Sequence, residues 1–230
     1  MPGSGRRKAL FVDRDGVLIE DRGVLVRSSG ISVIEGAATA LRRLKDAGYL
    51  IVVVSNQTAV ARGLLSPTEV VALQQAVELR LGGILPGPLS APLIDAFYFC
   101  PHHPNATVAA YRRDCGCRKP APGLLHEAAR ALDIDLGESV MVGDRPSDVA
   151  AGKAAGCRTI QVLSGRHADP LIETSAGFAV IPPDLTCGSI VEAVEQILQL
   201  PLADDGLALA ARRLATPPPI PTAAKPAGPA

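Results

Sequence analysis

The sequence predicts an α/β fold, a doubly wound parallel sheet with helices on both faces, on three observations. Short β-branched runs alternate with segments whose apolar residues recur at helical spacing. Leu50-Ile-Val-Val-Val54 is apolar at every position, as a strand covered on both faces requires. Polar residues follow three of the runs directly, where such a sheet gathers its ligand groups.

The elements follow in order. Ala9–Val12 is a short apolar strand that ends in acids. Gly36 opens a helix in which Ala37, Ala40, Leu41 and Leu44 share a face, and Gly48 closes it. Leu50–Val54 is the second strand. Ser66-Pro67-Thr68-Glu69 is a capping-box pattern with Pro at the first helical position, predicting a helix over Val70–Leu81. Ala96–Cys100 reads as a strand, Gly123–Leu132 as a helix and Ser139–Val142 as a strand. Ser147–Ala155 is a short helix stopped by Gly156, Thr159–Val162 another strand, and Phe178–Ile181 a candidate last strand. Ser189–Leu200 is an amphipathic final helix. One domain over residues 9–200 is expected, behind a flexible N-terminal segment 1–8. Residues 201–230 form an Ala/Pro-rich tail, with six prolines between Thr216 and Ala230 and almost nothing to bury, which predicts disorder.

Composition narrows the function. The 230 residues are 47% hydrophobic, and 23 basic residues balance 23 acidic ones at a pI of about 6.9. Zero net charge removes the global electrostatic case for nucleic acid or an anionic membrane as partner. Aromatic residues make up 3%, with no Trp, so a stacking platform for single strands is not expected either. No apolar run approaches the ~20 residues a bilayer span needs. Met1–Lys8 is basic, but Ala9–Val12 is too short for a signal h-region, so a cytoplasmic protein is expected. Five cysteines, three of them between Cys100 and Cys117, suit a reduced thiolate metal site better than a disulfide framework.

Asp13 and Asp15 follow the first strand, Ser55, Asn56 and Gln57 the second, and Asp144 the strand Ser139–Val142. Three carboxylates converging on one crevice repel unless a cation lies between them, and oxygen ligands few in number suit Mg²⁺. A lone Asp-x-Asp-Gly is more often a turn; its pairing with S-N-Q and G-D-x-x-x-D after two other strands favours function. Asp148 reads equally as support for the metal and as a first-turn helix acid.

Phe11-Val12-Asp13-Arg14-Asp15-Gly16-Val17-Leu18 resembles the first motif of the haloacid-dehalogenase-like (HAD) phosphohydrolases. Ser55 matches the second motif, Lys119 the third, and Gly143-Asp144 with Asp148 the fourth. S-N-Q, C-P-H-H-P, C-x-C-R-K-P and G-D-R-x-x-D together resemble the heptose 1,7-bisphosphate and histidinol-phosphate phosphatase branch. The resemblance implies a Mg²⁺-dependent phosphomonoesterase with Asp13 as nucleophile and Asp15 as acid and base. It implies Mg²⁺ held by Asp13, the Asp15 carbonyl and Asp144, and phosphoryl donors from Ser55 and Lys119. Substrate contacts are implied for Asp21, Arg22, Gly23, Val24, Ser55, Asn56, Gln57, Arg118, Lys119 and Arg145. Arg145 stands where the heptose branch is expected to carry Lys, and Ile19, Val24 and Leu25 stand where it is expected to carry Asn and Tyr-Val. No large cap insertion is visible, which leaves the loop Ile19–Gly36 to cover the site.

Cys100-Pro-His102 and Cys115-Gly-Cys117 offer three thiolates and an imidazole, a closed set for structural Zn²⁺. His103 competes with His102, and the family pattern favours His102. Such a zinc would pin the loop carrying Arg118 and Lys119. Cys157 and Cys187 read as small core residues. The expected protein is a monomer acting on a small phosphorylated metabolite. A silent HAD fold serving as an interaction module is the rival, opposed by the filled catalytic positions.

Overall fold

The computed structural model describes residues 6–85, 92–166 and 181–200. Six parallel strands, β1 (Ala9–Val12), β2 (Leu50–Asn56), β3 (Ala96–Cys100), β4 (Val140–Gly143), β5 (Arg158–Val162) and β6 (Leu185–Cys187), lie in the order β3-β2-β1-β4-β5-β6. The helices are α1 (Ala37–Asp46), α2 (Thr58–Ala61), α3 (Pro67–Ile84), α4 (Gly123–Leu132), α5 (Pro146–Ala155) and α6 (Ile190–Leu198). The expected fold class is the one observed.

Helices cover both faces, so the central strands need no polar side. β1 is wholly buried, and β2 is buried from Ile51 to Ser55. Strand side chains alternate between faces. Ala9, Phe11, Val52, Val54 and Met141 share a core with Leu124, Leu125 and Ala128 of α4 and Ala151 and Ala155 of α5. α1 packs against α6 and α3.

The capping box forms as written: Ser66 Oγ accepts from Glu69 N–H, and Glu69 accepts from Ser66 N–H at 2.7 Å. α5 ends at Gly156 in the left-handed conformation. Boundaries differ in several places, and α3 spans Pro67–Ile84 rather than Val70–Leu81. β2 runs two residues further than its apolar stretch, because Ser55 and Asn56 pair with Phe99 and Cys100 of β3. The sixth strand is Leu185–Cys187; Ile181 lies outside any strand, and residues 178–180 of the expected strand lie outside the described residues. Cys187 is buried while Leu185 is exposed, so this edge strand lacks the apolar run that would announce it. The chain is already paired at Arg7, whose N–H donates to Asp133 O and whose carbonyl accepts from Asp135 N–H. Residues 201–230 lie outside the described residues.

Order reverses between β1 and β4, so the ends of these neighbouring strands open a crevice at the switch point. The loop Ile19–Gly36 stands over it. Its base is closed by an antiparallel bridge between Ile19 and Val33, and Arg80 of α3 holds it through the carbonyls of Ile31 (2.8 Å) and Ser28 (3.0 Å).

Candidate active site

Adjacent strands deliver the acids. Asp13 leaves β1 with its N–H on Val142 O, and Asp144 leaves β4 beside it. The first turn of α5 brings Asp148 to the same point, and carboxylate oxygens of the three lie within 4.8 Å of one another, all buried. The backbone here is built around glycine. Gly16 has φ +83°, and a Cβ on it would sit 2.5 Å from Asp144 Oδ2; one on Gly165 would sit 2.2 Å away.

Lys119 balances this charge. Its side chain is 2% exposed, and Nζ lies 2.8 Å from Asp13 Oδ1, 2.6 Å from Asp148 Oδ1 and 2.7 Å from Val54 O. Burial alone would lower its pKa; the Asp13 and Asp148 carboxylates outweigh that and hold it above the ordinary lysine value. Asn56 fixes its backbone at both ends, Oδ1 accepting from Lys119 N–H at 3.1 Å and Nδ2 donating to Lys119 O at 3.0 Å.

One cation is not enough for three carboxylates. Burial first, then the charges of Asp148 and Asp13, push the Asp144 carboxyl up to about 8. Asp148 is raised by burial as well, against the opposing charge of Lys119. Asp144 Oδ2 accepts from Arg166 N–H at 2.6 Å, whereas the buried Oδ1 has no hydrogen-bond partner among the described residues. An orphaned carboxylate oxygen among two other carboxylates is the donor set a hard divalent cation requires. Asp148 takes the first-turn helix role and also pairs with Lys119. Its Oδ2 caps α5 by accepting from Arg145 N–H at 3.0 Å, and its Oδ1 holds Lys119.

Asp15 turns away from this cluster. Both carboxylate oxygens meet the Arg14 fork, at 2.8 Å for Nη2 to Oδ2, and burial raises its pKa despite that charge. Ser55 Oγ accepts from Gln57 Nε2 at 2.8 Å.

A cavity of about 550 Å³ opens above these groups. Asp13, Asp15, Ser55, Asn56, Gln57 and Lys119 line it from the sheet, Asp21, Gly23 and Val24 from the loop, and Arg145 from the start of α5. Asp21 is clamped rather than presented: Oδ1 accepts from Gly23 N–H at 2.9 Å, and Oδ2 pairs with Arg166 at 3.0 Å and Arg145 at 3.3 Å. Two predicted substrate residues are elsewhere. Arg22 is exposed, paired with Glu20 and not among the residues lining the cavity. Arg118 is buried beneath the wall, Nη1 donating to His102 O at 3.0 Å and Nη2 lying 3.5 Å from Thr58 Oγ1.

Arg14, Arg62, Asn105 and Arg166 also reach the cavity and were not singled out by the sequence; His103, the competitor of His102, does too. Arg166 had an available signal, since Ser164-Gly165-Arg166 follows a strand at the ligand end of the sheet. A buried arginine between two aspartates gives none.

Beside the site, Cys100 Sγ lies 3.5 Å from Cys115 Sγ and 3.3 Å from Cys117 Sγ, which is 3.2 Å from Cys115 Sγ. His102 Nδ1 lies 3.4 Å from Cys117 Sγ and 3.7 Å from Cys100 Sγ. Zn–S bonds of about 2.3 Å set tetrahedron edges near 3.8 Å, so these four atoms need little adjustment to hold a metal. Burial pushes the Cys100 and Cys117 thiols up, and burial then Arg113 push His102 down, which favours the neutral, ligand-ready imidazole. His103 takes no part: its Nδ1 accepts from Asn105 N–H.

Residues 116–193 match the HAD-hydrolase-like family. The chain is 36% identical to the D-glycero-beta-D-manno-heptose-1,7-bisphosphate 7-phosphatase of Vibrio cholerae over 179 residues, 77% of this chain and 91% of that one. It is 38% identical to the enzyme of the same name from Pasteurella multocida, over 70% of this chain and 84% of that one. A crystal structure of the D,D-heptose 1,7-bisphosphate phosphatase from B. bronchiseptica, complexed with magnesium and phosphate, matches at a TM-score of 0.68 and 30% identity, covering 84% of this chain and 98% of that one. With acids, lysine and serine arranged as above on a parallel sheet, the chain belongs to the HAD-like hydrolases, in the family of the heptose-bisphosphate 7-phosphatases, and is a phosphatase.

Proposed function

We propose that the chain removes the 7-phosphate of D-glycero-D-manno-heptose 1,7-bisphosphate through a phosphoryl group carried on Asp13. One observation carries this reading: a cavity of about 550 Å³ is lined by Asp13, Asp148 and Lys119 together with Arg62, Arg145 and Arg166. Acids and a lysine at the reacting group, with further arginines around the same cavity, suit a substrate that carries more than one anionic group. Relatives covering most of the chain bear the same substrate in their names.

Asp13 Oδ attacks phosphorus while the P–O bond to the sugar breaks, and Asp15 gives its proton to the departing alkoxide. Asp15 then takes a proton from water as that water attacks the phosphorus, freeing phosphate and restoring Asp13. Ser55 and Lys119 donate to the phosphoryl oxygens. Asp13, Asp144 and the Asp15 carbonyl would hold Mg²⁺, which would supply charge neutralisation for the phosphoryl group and the buried acids. Cys100, His102, Cys115 and Cys117 would hold a structural Zn²⁺, and three reduced thiolates suit the cytoplasm.

The test is phosphate release from the 1,7-bisphosphate, the 1-monophosphate, histidinol phosphate and other sugar phosphates, with Mg²⁺ present and then chelated. The reading requires the bisphosphate to give the highest kcat/KM, with one phosphate released. Preference for histidinol phosphate would replace the substrate, and inactivity on every phosphoester would leave a silent HAD fold.

A further inference from the structure

Along the cavity, Arg14 and Gln57, which the reaction as written leaves unused, join Ser55 to Asp15. Gln57 Nε2 donates to Ser55 Oγ at 2.8 Å, and Gln57 Oε1 accepts from Arg14 Nη2 at 3.3 Å. Arg14 then grips Asp15, with Nε at 3.3 Å from Oδ1 and 3.2 Å from Oδ2, and Nη2 at 3.1 Å and 2.8 Å from the same oxygens. Arg14 is 1% exposed, Gln57 and Ser55 are also buried, and the third guanidinium nitrogen, Nη1, has no partner among the described residues.

Each link has a direction. Because Ser55 Oγ accepts from Gln57, its own proton is left to point into the cavity, where a phosphoryl oxygen would take it. The Gln57 amide is held in that orientation by Arg14, which donates to its oxygen. The same guanidinium, by its planar fork, sets the plane of the Asp15 carboxyl. A buried arginine is costly unless its charge is met, and Asp15 meets it. The two groups that handle opposite ends of the breaking bond are thus held by one side chain.

We infer that Arg14 and Gln57 are positioning residues of the phosphatase reaction, forming a relay from Ser55 to Asp15 that aims the phosphoryl donor and the proton donor together. The inference rests on the roles given above to Ser55 and Asp15. Lysine at position 14 keeps the charge but has no fork, and methionine at position 57 keeps the length but has neither amide atom.

The experiment compares wild type with Arg14→Lys, Gln57→Met, Ser55→Ala and the double variant Ser55→Ala/Gln57→Met, each with Mg²⁺. Two substrates are used: the heptose bisphosphate, whose alkoxide needs a proton to leave, and 4-nitrophenyl phosphate, whose phenolate does not. Arg14→Lys should lose about 100-fold in kcat/KM, which reports transfer to Asp13, on the sugar phosphate and far less on the aryl phosphate, since protonation of the leaving group is what is misaimed. On the aryl phosphate, Gln57→Met should cost about tenfold, a fraction of what removing an oxyanion donor outright costs. The double variant should then be no worse than Ser55→Ala alone, because Gln57 has no hydroxyl left to aim. Equal losses on both substrates for Arg14→Lys, or multiplying losses in the double variant, would overturn the relay. Should Arg14→Lys fail to fold, the Ser55/Gln57 cycle decides alone. Asp15→Asn separates the premise: equal activity of that variant on both substrates removes Asp15 as the acid whatever the cycle shows.

Discussion

Lys119→Met tests how the buried acids are held. Methionine keeps the length of the side chain and removes the ammonium that contacts Asp13 at 2.8 Å, Asp148 at 2.6 Å and Val54 O at 2.7 Å. Removing one partner of a buried ion pair costs roughly 3–5 kcal/mol, because the remaining charge stays desolvated. For a domain of this size each kcal/mol moves Tm by about 2–4 °C, so a fall of roughly 6–20 °C is expected at pH 7 without Mg²⁺. Added Mg²⁺ should raise the variant's Tm more than the wild type's, since the metal alone then offsets three carboxylates. The pH dependence has a definite sign. Burial already raises the carboxyls of Asp144 and Asp148 in the wild type. A carboxyl raised on folding loses stability as pH rises through its titration, and without Lys119 this loss grows. The deficit should therefore be largest at neutral and alkaline pH and shrink toward pH 5, where the acids take up protons. Activity should fall about 100- to 1000-fold with the loss of a donor to the phosphoryl oxygens. The assay is thermal unfolding by circular dichroism with and without Mg²⁺, beside steady-state kinetics on the same preparation. A variant with wild-type Tm in Mg²⁺-free buffer would refute the view that Lys119 balances the acids.

Asp13→Asn should remain folded and release no phosphate, and turnover near wild type would remove it as nucleophile. Cys115→Ser should lose bound zinc and about 100-fold in kcat/KM while keeping its circular dichroism spectrum, because Lys119 lies two residues beyond Cys117 and about 1 Å of misplacement suffices. Full activity in a zinc-free preparation, verified by elemental analysis, would make that cluster a staple of the fold only. Asp184 is held below the usual carboxylate range: burial alone would raise it, but Lys153 and the Thr159 N–H and hydroxyl outweigh that. Its contribution is present above about pH 4 and lost as pH falls through its folded value, so Asp184→Asn should be less stable than wild type at pH 7 and match it in strong acid, as denaturant midpoints would show.

The sheet was legible because its signals are local. A strand stretch buried on both faces must be apolar throughout, and β1, β4 and Leu50–Val54 of β2 are, while Ser66 and Glu69 announce α3 through bonds made within one turn. β6 was not, since an edge strand with two exposed residues follows from pairing with β5 rather than from its own composition. The acids were legible by the same reasoning, as polar residues at the ends of apolar strands. What each does to the others was decided by strand order: placing β4 beside β1 brings Asp144 to Asp13, although 131 positions separate them in the chain. The division of labour among the basic residues was also tertiary. Arg118 and Lys119 are neighbours in sequence, yet one donates to the His102 carbonyl and the other lies between two carboxylates. Arg14 shows the limit most clearly, for nothing in its neighbours says that its fork will close on Asp15 and reach Gln57 across the strand gap. Hydrophobic pattern and capping act over a few residues, whereas charge and hydrogen bonding act through space between groups that only the fold brings together.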